Sequence, residues 1–167
     1  MRLTFRPMPR EDLPLVWEWR QQPHVKKWWH DWDTYEVLVE NYLPGIEGTD
    51  PTDRYVVLLD EAPIGYIQTY LVSEYSEYAA LVDVGEGVAG IDLLIGEEEL
   101  TGQGLGTEML RRFVEEIAFA DPTTIACMAG VEATNAASIR AFEKAGFRVV
   151  RDYIEDGKSH TLVRRDR

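Results

Sequence analysis

The chain has 167 residues, 45% of them hydrophobic, which suits one packed domain and is too apolar for a disordered chain. Its 30 acids against 17 bases give a formal charge of -13, which argues against a nucleic-acid binder relying on Lys and Arg for phosphate contacts. No apolar run reaches the ~18 residues of a membrane span, "MRLTFRPMPRED" lacks the core of a signal peptide, and one cysteine, Cys127, excludes an internal disulfide, so a soluble cytoplasmic protein is expected.

Residues 3–8 read as a strand and 10–22 as a helix, with Leu13, Val16, Trp17 and Arg20 at helical spacing and Pro14 in the first turn. Pro23 ends that helix, and "VKKWWHDW" reads as an aromatic-rich connection. A helix follows over 33–43, with Asp33 as N-cap, Glu36 completing a capping box and Pro44-Gly45 as the stop. "RYVVLLD" and "APIGYIQTYLV" read as strands around a tight turn at Asp60-Glu61. Residues 73–87, polar and acidic, read as a surface excursion, and 88–95 as a strand. The next helix, 107–119, carries an apolar stripe through Leu105, Met109, Leu110, Phe113, Val114 and Ile117. A strand (123–131) leads to a helix (135–146) with Asn135 as N-cap and Gly146 at its end. A hairpin around Glu155-Asp156-Gly157-Lys158 closes the chain. With no repeat or linker, residues 1–167 are expected to form one α+β domain on a mostly antiparallel sheet.

Two features carry chemistry. Thr101-Gly102-Gln103-Gly104-Leu105-Gly106 lies between a strand and a helix start. Glycines let a ligand approach the backbone, and the first helical N–H groups have no partner within the helix. Such a turn binds a diphosphate without Lys or Arg, although glycine turns also serve structure alone. The second feature is acidity. From Tyr55 to Leu110 there are 11 acids and no Lys, Arg or His. That is either a solvated surface or a field that attracts a polycation. Asp92 stands out because it interrupts the apolar run "VAGIDLLI". It is either a buried acid satisfied by backbone donors or a functional carboxylate.

"TNAASIRAFEKAGFRVV", following such a glycine turn, resembles the closing segment of the GCN5-related N-acetyltransferase superfamily. "HVKKWW", "NYLPGI", "PIGYIQTY", "GIDLLIG", "GQGLGTEML" and "IRAFEKAGF", in that order over roughly residues 24–147, are most similar to aminoglycoside 6'-N-acetyltransferases. The resemblance implies a mixed, mostly antiparallel sheet flanked by helices, with direct acetyl transfer from acetyl-CoA to the 6'-amine of an aminoglycoside in a ternary complex. It implies that Leu93, Leu94 and Ile95 align pantetheine through backbone groups, that the amides of Gln103, Gly104, Gly106 and Thr107 hold the pyrophosphate, and that Asn135 faces the pantetheine arm or the thiol end. Asp92 would hold the ammonium and accept its proton, directly or through water. Trp28, Trp29, Tyr42, Gln68 and Tyr70 would wall the sugar site, although the aromatic rings serve equally well as core. No metal, nucleic acid or membrane is implied, and monomer and homodimer both stay open.

The chain departs from that pattern at three positions. Where related enzymes carry a proton-donating tyrosine it has Phe142, so CoA leaves as thiolate or takes its proton from water, with Tyr153 and Tyr70 as substitute donors. Where they carry a further acid it has Gly130, with Glu132 two residues on. Thr101 replaces a more usual Arg or Gln. Cys127 reads as a buried strand cysteine and not as an acyl carrier, because none of His24, His30 and His160 lies near it in sequence. Other cationic amines, such as polyamines or siderophore precursors, and a non-catalytic acetyl-CoA-binding module are the competing expectations.

Overall fold

A computed structural model describes residues 1–30, 32 and 34–167. Among the described residues seven strands, β1 (Leu3–Pro7), β2 (Asp53–Leu59), β3 (Ala62–Leu71), β4 (Val88–Ile95), β5 (Ala126–Glu132), β6 (Arg148–Glu155) and β7 (Lys158–Asp166), run in the order β1-β2-β3-β4-β5-β7-β6. The chain divides into two compact units: residues 1–68 with 93–103, and residues 69–92 with 104–167.

In the first unit β1 (Leu3–Pro7) pairs antiparallel with β2 (Asp53–Leu59), Leu3 opposite Leu59. Asp60 and Glu61, at φ 48° and 72°, make the two-residue turn into β3 (Ala62–Leu71), as a tight hairpin requires. Helix α1 (Leu13–Gln21) follows a 3-10 turn over Arg10–Asp12 and tolerates Pro14 in its first turn. The expected connection after Pro23 begins instead as a short helix, α2 (Pro23–Lys26), because proline suits the first helical position. Helix α3 (Tyr35–Ile46) is capped by Thr34, whose hydroxyl accepts the Val37 N–H at 3.3 Å; the cap expected at Asp33 lies outside the described residues. The helix does not stop at Pro44-Gly45. Arg54 packs over the Tyr42 ring at 4.8 Å and donates to the Asn41 carbonyl at 3.3 Å, which fastens the last turn. Gly45 permits that approach: a Cβ there would lie 1.8 Å from Arg54 Nη1. Met8, Leu13, Val16, Trp19, Val25, Leu38, Tyr42, Val56, Tyr66 and Leu94 form this unit's core.

In the second unit the expected excursion contains a helix, α4 (Ser76–Val82). Tyr75, Tyr78, Ala79 and Val82 recur at helical spacing, and Tyr78, Ala79 and Val82 pack into a core with Val72, Val88, Ala126, Met128, Tyr153 and Leu162. The Arg151 guanidinium donates to the Val82 carbonyl and so ties the end of α4 down. Strand β4 (Val88–Ile95) begins here, and α5 (Leu105–Glu116) buries Leu105, Met109, Leu110, Phe113 and Val114, each contributing roughly 1.5–3 kcal/mol. Strand β5 (Ala126–Glu132), α6 (Ala136–Lys144), β6 (Arg148–Glu155) and β7 (Lys158–Asp166) follow, with Asp156 and Gly157 at positive φ in the final turn. β4 and β5 run parallel from Val88↔Ala126 to Gly90↔Met128, and the register stops there. β5, β7 and β6 pair antiparallel. Among the described residues, no helix is long and apolar enough to cross a membrane.

Candidate active site

The start of α5 is built from backbone. Gly104 is its N-cap at φ 81° and no side chain caps the helix. The first helical bond runs from the Glu108 N–H to the Gly104 carbonyl, so the N–H groups of Leu105, Gly106 and Thr107 precede the helical ladder. A Cβ on Gly102 or Gly104 would meet nothing within 4 Å, which leaves the backbone approachable. The Gln103 side chain donates back to the Glu99 carbonyl. This arrangement has room and dipole for a diphosphate, and the coenzyme expected from the sequence fits it.

Asp92 is half-buried on β4, two residues beyond the last β4–β5 register pair. Three tyrosines converge on this stretch. Tyr70 packs edge-on against Tyr75 and Tyr78, with centroids 5.3 and 6.3 Å apart. The hydroxyls of Tyr78 and Tyr153 lie 3.3 Å apart. Burial raises all three phenols above their ordinary range, and the Asp92 charge adds to each shift; Tyr153 is pushed up to about 12. Two glycines make the space. A Cβ on Gly90 would sit 2.4 Å from the Tyr70 ring, and one on Gly130 would sit 1.7 Å from the Tyr153 hydroxyl. The place at 130 is thus occupied by a phenol, and the Glu132 carboxylate two residues on lies 3.4 Å from Lys158 Nζ. Sequence inspection passed over Tyr78; the Tyr75, Tyr78, Val82 spacing was its signal.

The expected sugar walls meet mixed fates. Tyr42 is 1% exposed, hydrogen-bonds Arg20 at 3.4 Å and stacks on Tyr66 at 5.3 Å, so it is a core residue and no wall. Trp29 is half-buried, edge-on to Tyr66, with the Arg20 guanidinium 5.1 Å from its ring. Trp28 carries the Lys27 ammonium 5.0 Å from its ring. Each indole thus already has one of the chain's own cations against it. Gln68 accepts the Tyr66 hydroxyl at 2.5 Å, which fixes its amide.

At the end of β4, Leu94 is buried in the first unit's core, and the Ile95 carbonyl accepts from His24 Nε2 at 2.9 Å. Leu93 is half-buried. Asn135 caps α6 by accepting the Ser138 N–H at 3.2 Å, so its structural role is present whatever else it contacts. Phe142 is 2% exposed and edge-on to Phe147 at 5.0 Å. Cys127 is buried, which pushes its thiol up to about 12 and leaves it a poor nucleophile. Among the described residues, no group of three or more His, Cys, Asp or Glu could hold a metal.

Comparison with known proteins agrees with this architecture. The family described as an acetyltransferase (GNAT) domain matches residues 8–153. An aminoglycoside N(6')-acetyltransferase type 1 from Klebsiella pneumoniae is 32% identical over 148 residues, covering 87% of this chain and 73% of the relative. The solved structure of AAC(6')-Ib with ribostamycin and coenzyme A superposes with a TM-score of 0.89 at 28% identity, covering 100% of this chain and 94% of that one. The same enzyme with coenzyme A and kanamycin gives a TM-score of 0.88 at 29% identity, covering 99% and 95%. A glycine turn opening α5, parallel strands whose register ends at Gly90, and a family match over most of the sequence lead to one conclusion: the chain belongs to the GNAT acetyltransferases.

Proposed function

We propose that residues 1–167 form one cytoplasmic N-acetyltransferase domain that moves an acetyl group from acetyl-CoA to the 6'-amine of an aminoglycoside. The observation that carries the acceptor is Asp92, half-buried on β4 in a stretch with 11 acids and no base. The likeness to enzymes with this activity supports it. Acetyl-CoA supplies the thioester. The amides of Gln103, Gly104, Gly106 and Thr107 hold its diphosphate by dipole and not by charge, which keeps basic side chains away from a cationic acceptor. Backbone groups of Leu93, Leu94 and Ile95 and the Asn135 amide align the pantetheine arm.

Asp92 holds the substrate ammonium and takes its proton, freeing the nitrogen lone pair to attack the acetyl carbon as the carbon–sulfur bond breaks. Phe142 has no proton for the departing sulfur. Tyr153, pushed up to about 12, holds its proton more tightly than a thiol of pKa about 8.5. The sulfur therefore leaves as thiolate and takes its proton from solvent. In the first unit Trp28, Trp29 and Gln68, and in the second Tyr70, are proposed to contact the sugar rings, with Glu132 as a further acid.

A thiol-release assay with acetyl-CoA tests this. Turnover on kanamycin but not on its 6'-hydroxy analogue is expected. Turnover confined to polyamines, or coenzyme binding with no release on any amine, overturns it.

A further inference from the structure

Gly130 and Tyr153 fit each other as cavity and plug. The β4–β5 register ends at Gly90↔Met128, two residues before Asp92 on β4 and two before Gly130 on β5. At that place the chain has no side chain on β5. The space is taken from β6 by the Tyr153 hydroxyl, 1.7 Å from where a Cβ would be, and from α4 by the Tyr78 hydroxyl, 3.0 Å from it. Tyr153 is 9% exposed and stacks on His160 at 5.4 Å, while Tyr78 is held by its ring contact with Tyr70. Tyr70 in turn rests on Gly90. Two glycines on neighbouring strands thus admit three phenols, each of which feels the Asp92 charge.

The Tyr78 and Tyr153 hydroxyls lie 3.3 Å apart, and the Tyr78 ring packs edge-on against Tyr70. A pair of phenols carries two O–H protons and a bond between them uses one, so the pair can both donate to and accept from a ligand. All three phenols are neutral at working pH, because burial and the Asp92 charge keep their protons on. A neutral donor–acceptor group beside a carboxylate suits a substrate bearing a hydroxyl next to its ammonium, and it is indifferent to a second cation.

We propose that Tyr78 and Tyr153 are specificity-determining residues: their hydroxyl pair, seated in the vacancy at Gly130, hydrogen-bonds a ring hydroxyl of the acceptor beside the amine that Asp92 holds. This rests on the amino-sugar acceptor proposed above. In a site built to bond a hydroxyl, an acceptor lacking it leaves those groups without their partner, which costs more than the missing contact alone.

The test is a cycle of two enzyme variants, Tyr153→Phe and Tyr78→Phe, against two acceptors, kanamycin B and its 3',4'-dideoxy form. Both acceptors carry the 6'-amine, and only the first has hydroxyls beside it. The wild type is expected to prefer kanamycin B by about tenfold in kcat/KM, and each Phe variant to erase the preference with KM for acetyl-CoA unchanged. Retaining the ring keeps the packing, and unchanged thermal melting confirms it. Wild-type turnover on both acceptors without preference, or a preference that survives both variants, overturns the hydroxyl pair and leaves the acceptor class standing. No turnover on either acceptor overturns both.

Discussion

Gly102 and Gly104 differ from Gly90 and Gly130 in what they make room for. The first pair sits at positive φ with open space around it. Glycine is needed there for backbone conformation, and the space around it stays open. The second pair has no unusual φ, and its space is filled from within by tyrosines. On the proposed function, one region binds by exposing peptide groups and the other by arranging side chains around Asp92. A diphosphate is the same in every acyl-CoA and suits fixed dipoles, whereas acceptors vary and are discriminated by side chains that can change.

Three substitutions separate the two regions. Asp92→Asn removes the proposed base while keeping shape, and kcat is expected to fall about 10²–10⁴-fold with acetyl-CoA affinity nearly unchanged by calorimetry. A near-normal rate would take Asp92 out of the chemistry. Gly130→Ala forces a methyl into a filled site and is expected to cost about 1–3 kcal/mol in urea unfolding, part of it recovered by adding Tyr153→Phe. An unchanged midpoint would mean the phenol moves aside freely and the vacancy is not a fitted one. Gly104→Ala meets no neighbour, so its cost is backbone strain of about 1 kcal/mol, with KM for acetyl-CoA raised several-fold and KM for the acceptor unchanged. A rise in acceptor KM instead would dissolve the division of labour.

The amphipathic stripe of α5, the strand 88–95 and the Asn135 cap were legible because periodicity and capping are local signals. Helix α4 was hidden by its acids: charge in 73–87 suggested surface, while Tyr78 and Val82 had already marked an inner face. The continuation of α3 through Pro44 was illegible because its support comes from Arg54, ten residues on. At the site, the glycine turn and Asp92 could be read from residue type and spacing. The burial of Tyr42 and the meeting of Tyr78, Tyr153 and Gly130 could not, since each depends on elements far apart in the chain.

The interlock of Gly130 with Tyr153 has an evolutionary consequence. An acid introduced at 130 to widen the acceptor range would collide with the ring already there, and shortening that ring first would leave a hole in a packed interior. Either single step is expected to cost stability that the second restores. Variants of this chain that gain new acceptors are expected to arise by paired changes at 130 and 153, or to bypass both.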